Sequence, residues 1–350
     1  MKIAQIVGAR PQFIKLAPLS REVRKHHEEI IIHSGQHYNP EMNGVFFRDL
    51  DIPQPDYNLN IGSGSHGMQT AGIMAAIEPV LQREKPDWVI VYGDTNTTLA
   101  GALAAVKKGI KTAHVEACLR SHNRDMPEEI NRIVADHISN LLFAPTQAAW
   151  ENAKLEALAQ KCRLVGDIMV DSIAMGMARI GQTHDVLQKY RLSQESYLLL
   201  TLHRPFNVDD ATRLQHILSG LNALDRLIIF PVHPRTLFVL KQMDCTLLKN
   251  IRFIEPQSYL DFLALMASAE RIVTDSGGIQ KEAYIIKKPC VTLRTETEWV
   301  ETVELGWNLL LSIESATFPH AINSFRPHAE HPDIFGEKVA EKIVREIEEA

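Results

Sequence analysis

Short apolar runs that alternate with longer helical patterns constrain the fold of this chain more than any other feature of its sequence. The runs are rich in Val, Ile and Leu and lack polar alternation, as expected of strands that helices cover on both faces. Such an alternation predicts an α/β fold with parallel sheets. The predicted strands span residues 3–7, 30–33, 88–92, 112–115 and 141–144, and a second series spans residues 198–202, 227–230, 251–254, 271–274 and 290–293.

The two series of strands indicate two domains of the same architecture. With 350 residues, the chain exceeds the length of about 250–300 residues at which a single core stops growing. We place the boundary near Gly166, so that residues 1–165 form an N-terminal Rossmann-like domain and residues 166–336 a C-terminal one. Because ligands of open α/β sheets bind beyond the carboxyl ends of the strands, the residues that follow each strand are the candidates for function.

Composition and charge narrow the classes of function. The formal net charge of -6 gives no overall attraction to nucleic acid or to an anionic membrane, so an anionic ligand must be held by a local cluster of donors. No apolar run approaches the roughly 20 residues that cross a bilayer, and the N-terminus lacks the features of an export signal. The four cysteines are scattered, without metal-site or disulfide spacing. We therefore expect a cytoplasmic protein with a small-molecule ligand.

The turn after the first strand carries cations. It reads Gly8-Ala9-Arg10-Pro11 and leads into a helix that contains Lys15, with a proline that suits the first helical turn. The segment lacks the G-x-G-x-x-G fingerprint, so we expect no NAD site there. Arg10 and Lys15 could hold a phosphate or a carboxylate near the helix N-terminus, or they could be solvated surface charges.

Acidic residues gather at the ends of the next strands. Asp94 and Glu116 each follow a predicted strand, and Glu128 opens a helix four residues before Arg132. The local pattern favours Asp94 as a helix cap, and a first-turn glutamate that pairs with an arginine would explain Glu128 and Arg132. Taken together, clustered acids would raise one another's pKa values by repulsion, which suits general acid–base catalysis.

Two histidines follow strands of the second half. His203 stands in the segment Leu202-His203-Arg204-Pro205, and His233 stands in a similar segment after the next strand. Either histidine could face a ligand at the edge of the sheet. Either could also be a turn residue without chemistry, because every strand must be followed by a loop.

The segment Thr274-Asp275-Ser276-Gly277-Gly278 is typical of a phosphate-binding turn. Its glycines allow close approach of the backbone, and Ser276 adds a hydroxyl. The helix that follows directs free N–H groups toward an anion. Glu282, one turn into that helix, could accept hydrogen bonds from ribose hydroxyls. The alternative is a tight strand-to-helix turn, but the pattern favours binding of a nucleotide diphosphate.

These segments together resemble the non-hydrolysing UDP-N-acetylglucosamine 2-epimerase family along nearly the whole chain. Several spaced motifs in the same order make the resemblance specific. The motifs are Gly8-Ala9-Arg10-Pro11 with Lys15, Gly93-Asp94-Thr95, His114-Val115-Glu116-Ala117, Pro127-Glu128-Glu129 with Asn131-Arg132, and Thr274-Asp275-Ser276-Gly277-Gly278-Ile279-Gln280 with Glu282.

The resemblance implies a fold like that of the glycosyltransferase-B enzymes, with two Rossmann-like domains facing across a cleft that holds a UDP-sugar. It also implies a homodimer and a final helix, within residues 337–350, that packs back on the first domain. Neither a metal nor another cofactor is implied. The family reaction removes the C2 proton, expels UDP to give 2-acetamidoglucal, and adds UDP back with C2 protonated on the other face.

The resemblance also implies a role for each candidate residue. The catalytic positions are Asp94, Glu116, Glu128 and His203. The substrate-binding positions are Arg10, Lys15, Arg132, His233, Phe262, Ser276, Gly277, Gly278 and Glu282, with Phe262 where the family holds uracil. A glycosyltransferase of the same architecture, which would pass the sugar to an acceptor, is the alternative from another class of reaction.

Two departures from the family pattern limit the prediction. Cys118 stands where glycine is usual, so the loop beside Glu116 could differ in geometry or in activity. The segments at residues 34–37 and 297–301 resemble the branch that acts on UDP-2,3-diacetamido-glucuronic acids. The sequence therefore leaves the substituents at C3 and C6 of the sugar open.

Overall fold

The computed structural model describes residues 1–36, 47–180, 185–315, 317–327 and 330–350. These residues form two compact units by their contacts. Unit 1 comprises Met1–Met175 and Ile334–Ala350, and unit 2 comprises Gly176–Asp333. The division lies within a helix, Met169–Arg179, that follows the predicted boundary at Gly166. His37, from one of the segments that resemble the diacetamido-glucuronic acid branch, lies outside the described residues.

Unit 1 is built on a seven-stranded sheet in which every strand pair is parallel. The spatial order of the strands is β3-β2-β1-β4-β5-β6-β7. The strands are β1 (Lys2–Val7), β2 (Glu28–His33), β3 (Tyr57–Asn58), β4 (Trp88–Tyr92), β5 (Lys111–Val115), β6 (Leu141–Ala144) and β7 (Cys162–Leu164). The helices are α1 (Arg10–Val23), α2 (His66–Glu84), α3 (Asn96–Lys107), α4 (Pro127–Ile138), α5 (Gln147–Leu155) and α6 (Met169–Arg179).

Unit 2 repeats this architecture with a six-stranded parallel sheet in the order β10-β9-β8-β11-β12-β13. Its strands are β8 (Tyr197–Thr201), β9 (Leu227–Pro231), β10 (Ile251–Ile254), β11 (Arg271–Thr274), β12 (Cys290–Thr292) and β13 (Asn308–Leu310). Its helices are α7 (Val186–Lys189), α8 (Pro205–Val208), α9 (Ala211–Asn222), α10 (Pro234–Leu240), α11 (Tyr259–Ser268), α12 (Gly277–Ile285), α13 (Val300–Glu304) and α14 (Phe318–Ser324).

The apolar character of the strands follows from burial on both faces. In β8, Leu198 and Leu200 belong to one core cluster, whereas Tyr197 and Leu199 belong to another. Because successive side chains of a strand point to opposite faces, each face of this sheet carries its own core. The prediction of an α/β fold with parallel sheets is confirmed.

Every predicted strand is present, with ends that differ by no more than two residues. The sequence analysis missed three strands, β3, β7 and β13. They lie at the margins of the two sheets and have two or three residues each. A run of this length is too short to show a periodic pattern, so its pairing is decided by the neighbouring strand.

The final helix, α15 (Val339–Glu349), belongs to unit 1. It buries Ile343, Val344 and Ile347 along one side. At its C-terminal end, the Glu348 carboxylate lies 2.8 Å from Nε2 of His27. The last turns of the chain therefore pack against α1 and the connection that follows it.

Both sheets reverse their strand order at one position, which is between β1 and β4 in unit 1 and between β8 and β11 in unit 2. A sheet of this kind leaves a crevice at its carboxyl edge where the order reverses, and ligands bind there. The segments that follow these four strands carry Arg10, Asp94, His203 and Ser276. Among the helices that the structure describes, none is both long and apolar enough to cross a membrane.

Candidate active site

Lys15 and Glu116 form a buried ion pair at the carboxyl edge of the first sheet. Lys15 reaches from α1, and Glu116 follows β5. Their side chains are only 7% and 10% exposed. Gly93, in the turn after β4, has a φ of +62°, and a Cβ at this position would lie 3.4 Å from Nζ of Lys15. The turn therefore packs directly on the ion pair.

Asp94 lies beside this pair and is bound by Arg132 of α4. The Arg132 guanidinium donates a hydrogen bond to the Asp94 carboxylate, and Asn131 donates one to the Asp94 carbonyl oxygen at 3.0 Å. The N-cap of α3 is Thr95, whose hydroxyl accepts the backbone N–H of Thr98. The local prediction that Asp94 caps this helix is wrong, because Thr95 takes that role and leaves the Asp94 carboxylate to the site.

The acid–base state of Asp94 is altered by its surroundings. Its partial burial raises the pKa of the carboxyl group, and the charge of Arg132 opposes this effect. The charges of Glu116 and Glu128 raise the pKa further, while Lys15 lowers it. Mutual repulsion was the expected cause, but burial of the carboxyl group raises its pKa more than either neighbouring acid does.

Neighbouring glutamates of α4 have different environments. Glu129 is buried and accepts hydrogen bonds from Ser121 N at 2.9 Å and from His122 N at 3.0 Å. Arg132 lies 3.5 Å from Glu129 in addition to its contact with Asp94. Glu128 is exposed at the first turn of the helix. Arg132 therefore pairs with Asp94 and Glu129, and not with Glu128 as the ordinary alternative expects.

Arg10 begins α1, next to a turn whose backbone donors are already bound. The Gln12 side chain accepts the N–H groups of Gly8 at 2.8 Å and of Ala9 at 3.0 Å. The same side chain donates to the Tyr92 carbonyl at 2.9 Å, which joins the ends of β1 and β4. Burial lowers the pKa of Arg10. The backbone donors of Gly8 and Ala9 are therefore already satisfied within unit 1.

Cys118, where the family pattern has glycine, adopts a glycine-like backbone. Its φ is +65°, and that of Glu116 is +64°. The Cys118 N–H donates to Asp136 at 3.1 Å, and the Cys118 carbonyl accepts from Asn152 at 3.0 Å. These bonds hold an L side chain in the left-handed region at a cost of about 1–2 kcal/mol. The loop thus has the conformation that glycine would favour.

The sequence analysis missed the buried pair of His114 and Asp136 beneath this site. His114 Nδ1 lies 2.7 Å from Asp136, which also accepts a hydrogen bond from Arg120. Burial alone would raise the pKa of Asp136, but hydrogen bonds and charges of His114 and Arg120 bring it below its ordinary value. The spacing of His114 and Asp136 in the sequence does not predict this contact, because the two residues meet only through tertiary packing.

In unit 2, His203 and His233 follow neighbouring strands and lie with ring centroids 6.1 Å apart. His233 is the N-cap of α10, where its ring accepts the Arg235 N–H at 3.2 Å. His203 lies 3.4 Å from the carboxylate of Asp275. Burial lowers the pKa of His203, the charge of Asp275 raises it, and that of Arg204 lowers it.

The predicted phosphate-binding turn opens α12, with Ser276 at its N-cap. A Cβ at Gly278 would meet open space, whereas a Cβ at Gly277 would overlap the carboxylate of Glu298. Glu298 in turn lies 3.2 Å from Arg294. The turn therefore approaches an anionic group closely at Gly277, as a phosphate-binding backbone must.

Glu282 and Phe262 lie on the helices beside this turn. Glu282 is buried one turn into α12. Its charge contributes, after burial, to a pKa of Tyr259 well above the ordinary value. Phe262, on α11, is half-buried and packs against the core beneath the sheet. Unit 2 thus carries an aromatic ring on the helix before β11 and a carboxylate on the helix after it.

Within the ranges described above, no group of three or more histidine, cysteine, aspartate or glutamate side chains is arranged to hold a metal ion. The candidate residues fall into separate sets, one in each unit. Unit 1 brings the charges of Lys15, Glu116, Glu128 and Arg132 to Asp94 and also carries Arg10. Unit 2 carries His203, His233, Phe262, Ser276, Gly277, Gly278 and Glu282.

The pattern of the UDP-N-acetylglucosamine 2-epimerase family matches residues 21–348. The chain belongs to this family. It is 51% identical, over 94% of both chains, to a UDP-N-acetylglucosamine 2-epimerase homolog of Methanococcus maripaludis. It is 44% identical to the UDP-2,3-diacetamido-2,3-dideoxy-D-glucuronate 2-epimerase of Pseudomonas aeruginosa, over 89% of this chain and 88% of the relative.

A solved structure of the epimerase family has the same fold. This chain superposes on the crystal structure of Methanocaldococcus jannaschii UDP-GlcNAc 2-epimerase in complex with UDP-GlcNAc and UDP, with a TM-score of 0.90 and 45% identity. The superposition covers 100% of both chains. The predicted family, the glycosyltransferase-B-like fold class and the assignment as an isomerase are confirmed. The roles of individual residues in the epimerase stay predictions.

Proposed function

We propose that this epimerase interconverts UDP-N-acetylglucosamine and UDP-N-acetylmannosamine without hydrolysing either. The observation that carries the proposal is the set of paired charges in unit 1. Lys15 with Glu116 and Arg132 with Asp94 stand at the ends of adjacent parallel strands. Two carboxylates held by cations at one sheet edge can serve as proton donor and acceptor for one carbon atom.

The reaction consists of an elimination and its reversal. A carboxylate of unit 1 accepts the C2 proton while the C1–O bond breaks, and the electron pair of the C2–H bond forms the C1–C2 double bond of 2-acetamidoglucal. UDP leaves with the electrons of the C1–O bond. In the return step, UDP forms the C1–O bond again and an acid delivers a proton to the opposite face of C2.

Asp94, Glu116 and Glu128 are the proposed proton carriers of this reaction. Asp94 is suited to exchange protons because burial raises its pKa. Glu128 is exposed, so its proposed role requires that substrate approach the first turn of α4. Lys15, Arg132 and Arg10 provide positive charge for the anionic substrate.

Unit 2 is the proposed holder of the nucleotide. Ser276, Gly277 and Gly278 at the N-terminus of α12 would bind the diphosphate, Glu282 the ribose, and Phe262 the uracil. Negative charge develops on a phosphate oxygen when UDP leaves, and oriented N–H groups stabilise such charge. His203 and His233 complete the proposed set at the ends of β8 and β9.

Exchange of hydrogen at C2 tests the reaction. Incubation with UDP-N-acetylglucosamine in heavy water should place deuterium at C2 of both epimers, with the UDP-sugar conserved in phosphorus NMR. Asp94→Asn and Glu116→Gln should each lose exchange while UDP affinity changes far less. Glu78→Gln, on the exposed side of α2, is the matched control and should exchange normally. Transfer of the sugar to an acceptor without exchange would contradict the proposal.

The second candidate substrate is UDP-2,3-diacetamido-glucuronic acid, which would undergo the same C2 epimerisation. The similarity to the Pseudomonas aeruginosa enzyme favours it. A comparison of kcat/KM for the two UDP-sugars separates the candidates, because a site formed for a C6 carboxylate leaves polar groups unpaired when that carboxylate is missing. Faster turnover of the diacetamido-uronic substrate would replace the first proposal.

We infer further that the enzyme is a homodimer, as the family resemblance implies, and that it is cytoplasmic. Free cysteines, three of them buried, are consistent with a reducing compartment. Analytical ultracentrifugation should give twice the mass of 39.4 kDa across a dilution series. A monomer at every concentration would contradict the dimer, and fractionation of the source cells would test the compartment.

A further inference from the structure

The carboxylate of Asp275 organises the loop that carries His203. Asp275 is fully buried at the end of β11. It accepts hydrogen bonds from His203 N at 3.1 Å, from Arg204 N at 3.1 Å and from the Asn207 side chain at 3.1 Å. A buried carboxylate bound by three donors is a rigid anchor, because each donor would otherwise lose a partner on burial.

The same carboxylate lies beside the imidazole of His203. Its Oδ1 atom is 3.4 Å from His203 Nδ1. This distance is too long for a strong hydrogen bond but lies within the range of an ionic contact. A negative charge at this place favours a proton on Nδ1, which leaves Nε2 free to accept one. The hydrogen bonds to the backbone hold in place the loop that carries the His203 ring. The negative charge of Asp275 favours the tautomer with its proton on Nδ1.

We propose that Asp275 is a positioning residue that sets the orientation and the protonation of His203 for the epimerase reaction. This inference rests on the proposed function, because His203 is a catalytic candidate there. Asp275 itself is not proposed to touch the substrate.

Asp275 also joins His203 to the turn that is proposed to bind the diphosphate. It immediately precedes Ser276, the N-cap of α12. The strands on either side are paired, with the hydroxyls of Thr201 and Thr274 2.7 Å apart. One buried carboxylate thus links the loops after β8 and β11, where the sheet reverses its order.

The charged groups around His203 come from three loops. Asp275 follows β11, Arg204 follows β8, and His233 is the N-cap of α10 with its ring centroid 6.1 Å from that of His203. Beyond them, Arg235 and Asp209 pair with each other. Burial and Arg204 lower the pKa of His203, and Asp275 raises it. Loss of the Asp275 charge should therefore lower the pKa of His203 further.

The test compares Asp275→Asn with the full-length parent enzyme and with Thr236→Val. The control removes a buried hydrogen bond, from the Thr236 hydroxyl to the Leu202 carbonyl at 2.9 Å, next to the same loop but without a charge. We expect kcat of Asp275→Asn to fall on the order of 10²-fold, as for a misplaced catalytic group, with KM and UDP affinity within about threefold. Thr236→Val should keep the parent kcat.

Nitrogen-15 NMR of histidine side chains provides the readout that a purely structural role would not change. The His203 signals are assigned by their loss in His203→Gln. In the parent enzyme, neutral His203 should carry its proton on Nδ1, a measurement that needs no Asp275 variant. In Asp275→Asn the titration of His203 should move to lower pH.

A proton on Nε2 in the parent, an unmoved titration in Asp275→Asn, or an equal shift in Thr236→Val would each overturn the inference. The NMR measurements do not depend on turnover. If the parent enzyme catalyses no C2 exchange, the proposed function fails, while the tautomer and titration still decide the role of Asp275.

Discussion

Nε2 of His114 lies 2.6 Å from the carbonyl oxygen of Gly93, the residue before Asp94. A carbonyl oxygen can only accept, so Nε2 carries a proton and donates it. The opposite ring nitrogen faces Asp136 at 2.7 Å. The buried His114 ring therefore connects the turn that carries Asp94 to the charged pair of Asp136 and Arg120.

Removal of His114 should destabilise the enzyme. His114→Leu leaves the Gly93 carbonyl and the Asp136 carboxylate buried without this partner, which should cost about 3–5 kcal/mol in the free energy of unfolding. His114→Gln keeps one donor and should cost less. Urea unfolding measures both variants, and equal stability of His114→Leu and the parent would contradict this view of the network.

The stability of the enzyme should depend on pH through Asp136. Its pKa is lower in the folded protein than in the unfolded chain, so its contribution is fully present above the unfolded value, about 3.9. The contribution is lost as pH falls through the lowered folded value. Asp136→Asn should therefore lose stability at neutral pH and show a weaker fall on acidification, measured by urea unfolding between pH 7 and pH 3.

Lys15 and Glu116 should behave as a coupled pair. Lys15→Met leaves a buried carboxylate without its cation and should cost about 3 kcal/mol of stability. The double variant Lys15→Met with Glu116→Gln removes both charges and should be more stable than Lys15→Met alone. A double-mutant cycle of urea unfolding measures the coupling, and additive effects would show that the pair is not coupled in solution.

Arg132 should set the acidic limb of the pH–rate profile. Its charge lowers the pKa of Asp94, against the raising effect of burial and of the neighbouring glutamates. In Arg132→Met the pKa of Asp94 should rise, so the rate of C2 exchange should begin to increase only at higher pH. Arg124→Met, at an exposed loop position, is the control, and an unchanged limb in Arg132→Met would exclude Asp94 as the titrating group.

The glycines that open α12 should respond differently to alanine. A Cβ at Gly278 meets open space, so Gly278→Ala should stabilise by about 0.4–1 kcal/mol through the unfolded state. A Cβ at Gly277 must displace the Glu298 carboxylate from its place beside Arg294, which offsets that gain. Thermal unfolding of the two variants checks the order, and a more stable Gly277→Ala would contradict it.

At Cys118, glycine should be tolerated better than alanine. Its φ of +65° costs an L side chain about 1–2 kcal/mol, so Cys118→Gly should be at least as stable as Cys118→Ala. Ala117, which is buried and lacks a positive φ, is the control, and Ala117→Gly should lose roughly 0.5–1 kcal/mol. Urea unfolding of the three variants tests whether the left-handed backbone persists in solution.

The fold was largely predictable because its signals are local. Apolar runs such as Trp88–Tyr92 and Leu141–Ala144 match their predicted bounds, since a strand buried on both faces has no polar position. The two-residue strand Tyr57–Asn58 has no such signal. It exists because the exposed edge of β2 offers backbone partners.

The sequence by itself determined the family, the α/β class and the segments that carry the candidate residues, because ordered motifs and apolar periodicity are properties of the chain alone. Only the tertiary structure decided which charges meet. Arg132 binds Asp94 and Glu129, and Asp275 anchors the His203 loop from the adjacent strand β11, which lies far away in sequence. These partners are fixed by strand order and helix phase, so burial of a side chain and the charge beside it depend on residues far away in sequence.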